Sequence, residues 1–157
     1  MLLREPPRAL YAPFPLNVRH SGKGTAMIAE LQSALRGRWI LIVEDDCVTA
    51  LDLAETLSAA GARVIGPAGT IKTAFDLVRY GPHLDIALLD VEVEGTYVFD
   101  VADELMRREV PIVFTTGYER GEIPARFRTA RHCEKPIGIP AIAQALSDEL
   151  AQRRTRT

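Results

Sequence analysis

The sequence predicts an α/β domain built on one doubly wound, five-stranded parallel sheet with helices on both faces. Three observations predict it. Short apolar runs alternate with stretches whose apolar residues fall at helical spacing. The runs are continuous rather than alternating, as strands covered on both faces require. Polar residues of a few types, mostly acids, gather where those runs end. At 157 residues the chain suits one domain with a single core.

Residues 1–37 read as an N-terminal extension. Pro6, Pro7, Pro13 and Pro15 break up any continuous apolar core, so a signal peptide is not expected. Lys and Arg outnumber the one acid, Glu5, in the first two dozen residues, which read as poorly ordered and mildly basic. MIAELQSALRGR has helix-like spacing, giving a helix near 26–36, and Met27 is an alternative start. WILIV (39–43) is the first strand. Val48, Leu51, Ala54 and Leu57 lie along one side of the helix that follows, and Gly61 stops it. ARVIGPA (62–68) is the second strand. Thr70 caps a helix carrying Ile71, Ala74, Phe75 and Val78.

DIALLD (85–90) is the third strand, and Val98, Val101, Ala102 and Leu105 mark the next helix. VPIVFTT (110–116) is the fourth strand. Gly117, Gly121 and Pro124 interrupt GYERGEIPARFRTA (117–130), which predicts a loop with a short or irregular fourth helix; Tyr118 there would anchor the loop or shape partner contacts. RHCEK (131–135) reads as a fifth strand. Pro140 suits a first helical turn, and Ile142, Ala145, Leu146 and Leu150 continue the last helix. The domain therefore spans 38–151, followed by a polar tail at 152–157.

Composition narrows the function. A net charge of -2 gives no broad electropositive field, so nucleic-acid binding gains no support. No apolar run approaches the ~20 residues of a membrane span. Cys47 and Cys133 alone make neither a disulfide framework nor a four-ligand zinc site, and reduced thiols fit a cytoplasmic protein.

Strand–helix units at this spacing suit the flavodoxin-like strand order 2-1-3-4-5, in which ligands bind outside the carboxyl ends of the first and third strands. Glu44 and Asp45 end the first strand and Asp90 ends the third, so acids remote in sequence converge in one crevice. Asp46 alone would serve to cap the next helix, which leaves the other acids to explain. Clustered carboxylates at a strand-end crevice suit a hard cation held by oxygen, and Mg2+ is the natural candidate. Thr116 closes the fourth strand and Lys135 the fifth. Acids, a cation, a hydroxyl and a lysine suit phosphoryl transfer, with Asp90 able to act as nucleophile and become an aspartyl-phosphate.

The stretches ILIVEDD, ALLD, FTTG and EKP, in that order and at these separations, resemble the receiver domain of two-component response regulators. The resemblance covers about residues 38–150 and rests on the ordered set of four. It implies that Asp90 is the phosphoacceptor, with Glu44 and Asp45 the acidic pair and Asp45 the direct Mg2+ ligand. It further implies that the backbone carbonyl of Glu92 reaches the metal, that Thr116 is the switch hydroxyl, and that Lys135 is its ammonium partner. Two positions depart from the pattern. DVEVEGTY lacks the proline usual after the acceptor, and His132 stands where an aromatic switch residue is usual. FTTGY is similar to a receiver subfamily with a Phe-Ala-Thr-Gly-hydrophobic/Tyr signature, often stand-alone and with an irregular fourth helix.

The resulting expectation is a single-domain receiver, not an enzyme in its own right. It takes a phosphoryl group from a histidine kinase or phosphotransfer protein and signals through a downstream protein partner, without DNA or membrane contact. About seven residues after the last helix leave no room for an effector domain. Two alternatives stand beside it. One is a receiver-like interaction module that does not use phosphate. The other is a haloacid-dehalogenase-like phosphatase, for which LLDVEVEGT offers Glu92 where that nucleophile loop wants an aspartate.

Overall fold

The computed structural model describes residues 22–117 and 123–155. The expectations for residues 1–21 and for Tyr118 lie outside them. The chain runs α1 (Gly22–Leu35), β1 (Trp39–Val43), α2 (Cys47–Ala59), β2 (Arg63–Ala68), α3 (Ile71–Tyr80) and β3 (Ile86–Asp90). It continues through β4 (Glu92–Val93), β5 (Thr96–Tyr97), α4 (Phe99–Arg107) and β6 (Ile112–Thr116), then a 3-10 turn at Ala125–Phe127, β7 (Arg131–Glu134) and α5 (Ile139–Arg154).

The main sheet has the order β2-β1-β3-β6-β7, with every neighbouring pair parallel. Counting only its own strands, this is the expected order 2-1-3-4-5. Strand alternation divides the core into two layers. Leu41, Val43, Leu89 and Phe114 face α3 and α4, where Ala74, Val101 and Leu105 meet them. Ile40, Ile42, Leu88 and Val113 face α2 and α5, where Leu53, Leu57 and Leu146 pack. Each fully buried leucine or isoleucine contributes about 1.5–3 kcal/mol through apolar burial, which explains why β1, β3 and β6 read as unbroken apolar runs. In β2, Gly66 holds φ +95, and a Cβ there would lie 2.7 Å from the Ile42 carbonyl oxygen. A side chain would push β2 off β1 at that point.

Helix α1 starts at Gly22 and ends at Leu35, about four residues earlier at its start and one at its end than the sequence spacing placed it. It is no loose appendage: Leu35 is fully buried, and Leu31 packs with it against the α2–α5 layer. Helix α5 also departs from expectation. It continues to Arg154, through residues assigned to a polar tail at 152–157. Gln152, Arg153 and Arg154 are good helix formers, and the Arg153 guanidinium donates to the Glu109 carbonyl at 2.5 Å.

The fourth helix is reduced, in the described residues, to the 3-10 turn at Ala125–Phe127. Two anchors hold it. Arg126 donates two hydrogen bonds to the Asp103 carboxylate, at 2.7 and 2.9 Å. Phe127 is buried and stands edge-on to Phe114 and stacked on Phe99, with ring centroids 5.5 and 5.6 Å apart. The aromatic row extends at both ends, since Tyr97 stacks on Phe99 at 5.2 Å and His132 on Phe114 at 5.4 Å.

The structure adds one element that the sequence reading lacks. Strands β4 and β5 pair antiparallel as a small hairpin, with Glu92 opposite Tyr97 and Val93 opposite Thr96. Among the described residues, no helix is long and apolar enough to cross a membrane.

Candidate functional site

Parallel register builds the site. Val43 of β1 pairs with Leu89 of β3, so the next residues, Glu44 and Asp90, emerge side by side at the strand ends. Asp45 follows before α2 begins. Oxygen atoms of Glu44, Asp45 and Asp90 all lie within 4.8 Å of one another. The three acids predicted to converge do so. Asp46 is not in this group. Its carboxylate accepts the Thr49 N–H at 2.8 Å and caps α2, the structural reading expected of it.

Lys135 enters from the loop after β7. Its backbone N–H is held by the Thr116 carbonyl at 2.8 Å. Its Nζ donates to Asp90 Oδ2 at 2.5 Å and to Glu44 Oε2 at 3.1 Å. Glu44 and Asp90 are buried, so their charges are costly without a partner. Burial pushes the Glu44 carboxyl above its ordinary value, and the charge of Asp90 adds to this; the Asp46 N–H, at 3.0 Å, and Lys135 oppose it. Burial works against the Lys135 charge, but the hydrogen bonds and charges of Asp90 and Glu44 outweigh it and raise the ammonium above its ordinary value.

Glu92 begins β4, and its backbone N–H lies 3.3 Å from Asp90 Oδ1. Thr116 is buried at the carboxyl end of β6, in register with Glu134. Its neighbour Thr115, which sequence reasoning passed over, pairs in register with Asp90. Thr115 also lines a cavity of about 480 Å³ with Glu44, Thr49, Leu53, Lys135 and Ile142. The signal was the doubled threonine itself, since alternation along a strand sends the two side chains to opposite faces. His132 stacks on Phe114 and belongs to the aromatic row.

The donor set fits Mg2+. All three side chains offer hard oxygen atoms, and Mg2+ takes a few carboxylates while filling its other positions with water or phosphate oxygens. The three carboxylates crowd like charge into one place, which a divalent cation would relieve. Chemically, the site offers carboxylates paired with a lysine, Asp90 the more tightly of the two, beside a cation cradle, an arrangement suited to attack on a phosphoryl group.

No protein-family model matches the chain. It is 31% identical over 123 residues to the transcriptional regulatory protein PdtaR of Mycobacterium tuberculosis, covering 76% of this chain and 58% of PdtaR. It is also 31% identical over 127 residues to the phyllosphere-induced regulator PhyR of Methylorubrum extorquens, covering 73% and 46% of the two. The chain thus spans about half the length of these curated relatives. Among solved structures it is similar to SdrG of Sphingomonas melonis Fr1, at 33% identity and a TM-score of 0.62, over 75% of this chain and 98% of SdrG. A response regulator receiver protein from Sinorhizobium medicae shares the fold, with 22% identity and a TM-score of 0.64, over 74% and 97% of the two chains.

Proposed function

The chain belongs to the response regulator receiver family of two-component signalling, and from that premise we propose that Asp90 accepts a phosphoryl group from a histidine kinase or phosphotransfer protein. The N–P bond of the donor phosphohistidine breaks, an O–P bond to the Asp90 carboxylate forms, and the donor imidazole leaves. Glu44, Asp45, Asp90 and the Glu92 backbone carbonyl are the residues to hold Mg2+. When bound, the cation neutralises charge that builds on the phosphoryl oxygens.

The observation that carries this reading is the Lys135 ammonium, held 2.5 Å from Asp90 Oδ2 within the three-carboxylate group. Of the three acids, Asp90 ends the central strand, between β1 and β6, and already has a cation on the oxygen side from which a phosphoryl group would be drawn. Phosphorylation replaces the single negative charge of the carboxylate with the close to two of an acyl phosphate, a net gain of about one. Lys135 then follows the phosphate, and Thr116 is the hydroxyl assigned to move with it. Their shift biases the surface around β6 and the turn after it between two packings. Output runs through contact with another protein.

The test is incubation with acetyl phosphate and Mg2+, read by intact mass. Wild type gains one phosphoryl group and Asp90→Asn gains none. Equal gain in the variant removes Asp90 from the role, and no gain in either supports a phosphate-independent interaction module. Steady turnover of a generic phosphate monoester would point instead to the phosphatase alternative.

A further inference from the structure

The hairpin between β3 and α4 reaches across to the opposite wall of the site. The backbone N–H of Glu94 donates to Asp45 Oδ2 at 2.8 Å, joining residues 49 apart in sequence. This contact depends on an unusual turn. Glu94 has φ +49 and Gly95 φ +73, two successive left-handed residues. That is the geometry of the two-residue hairpin turn whose twist matches its flanking strands. A glutamate rarely adopts it, so the surroundings must hold it there.

They do so firmly. Val91, Val93 and Val98 are almost wholly buried on either side of the turn. The Val98 N–H closes the hairpin base on the Val91 carbonyl at 2.9 Å. The turn is thus pinned from below while the Glu94 N–H projects onto the Asp45 carboxylate. A carboxylate has two oxygens. Fixing one by a rigid donor orients the other, and donors of this kind tune metal ligands elsewhere. No side chain supplies the donor, so the device is invisible to any reading by residue type.

Resting on the Mg2+ site proposed above, we infer that the Glu92–Tyr97 hairpin is a positioning strap: the Glu94 backbone N–H holds the Asp45 carboxylate in place for the cation. Glu94 is the positioning residue, and it acts through its main chain and not its side chain.

Calorimetric titration of the full chain with MgCl2 tests this, alongside thermal unfolding in chelator to follow the fold separately. Glu94→Pro removes the N–H and cannot hold a left-handed φ. Gly95→Val keeps the N–H but strains the turn through the backbone alone, since nothing lies within 4 Å of the added Cβ. Both are expected to weaken Mg2+ binding by about tenfold or more, the usual effect of losing a donor behind a metal ligand. Glu94→Gly keeps both the N–H and the φ and is expected to bind as wild type does. If either strained variant folds and binds Mg2+ as tightly as wild type, or if Glu94→Gly loses binding equally, the inference is overturned. In wild type the Glu94 amide resonance should move on Mg2+ titration, and an unmoved resonance overturns the inference without any variant. Wild type that fails to bind Mg2+ at all overturns this inference and the proposed site together, which separates the two failures.

Discussion

Replacing Lys135 with methionine keeps an aliphatic stem in place and deletes the charge that lies between Glu44 and Asp90. Those two carboxylates have oxygens within 4.8 Å of each other. Two unit charges that close repel by roughly 3.5 kcal/mol at an effective dielectric of about 20. The Lys135 side chain is 33% exposed, so water replaces part of the lost cation and the repulsion is only partly felt. A loss of about 2 kcal/mol in unfolding free energy is expected at pH 7.5 in chelator, measured by urea denaturation of both proteins.

The pH dependence has a definite sign. A carboxyl whose folded pKa is raised, as for Glu44, binds its proton more tightly when folded, so its ionisation costs stability. That cost disappears as the pH falls through the raised value. The deficit of Lys135→Met should therefore shrink at a lower pH, as the Glu44 carboxyl takes up its proton. The contribution of Lys135 itself, whose pKa is raised, is lost only as the pH rises through that raised value. Saturating Mg2+ should also shrink the deficit by supplying another cation. A deficit that is the same at both pH values and with Mg2+ would refute the electrostatic account.

Two further outcomes are expected. Phe127→Ala, which empties a buried seat between Phe99 and Phe114, should cost about 3–5 kcal/mol in urea unfolding; a cost under about 1 kcal/mol would mean that the 3-10 turn is not packed as described. At pH 8 a maleimide should label Cys47, which is exposed, in the native protein, while Cys133, buried and with its thiol pushed up by that burial, should label only on unfolding; equal labelling rates by peptide mapping would contradict the packing of β7 against α5.

The three inner strands were legible because burial on both faces forces unbroken apolar runs such as ILIV and IALL. The crevice acids were legible for the opposite reason: carboxylates at the ends of such runs have no use in a core. The β4–β5 hairpin escaped notice because two-residue strands are too short to show a period. Its Glu94–Gly95 turn carried the only cue, one that β-hairpin chemistry usually writes with asparagine or aspartate before the glycine. The start of α1 escaped as well, since Gly22 and Gly24 are poor helix formers and the leucines that hold it in place lie at its far end. The broken pattern of residues 117–130 announced an irregular segment, but the seat of Phe127 depends on partners in α4 and β6 that no local pattern reveals.

The row of rings from His132 through Phe114, Phe127 and Phe99 to Tyr97 spans from the outer strand to the hairpin that grips Asp45. Its two inner rings, Phe114 and Phe127, are buried, so a tilt of either leaves the other without a partner, whereas Tyr97 at the far end is half exposed and yields to solvent. The segment after β6 is therefore anchored to the outer strand and to the hairpin through one shared seat, that of Phe127.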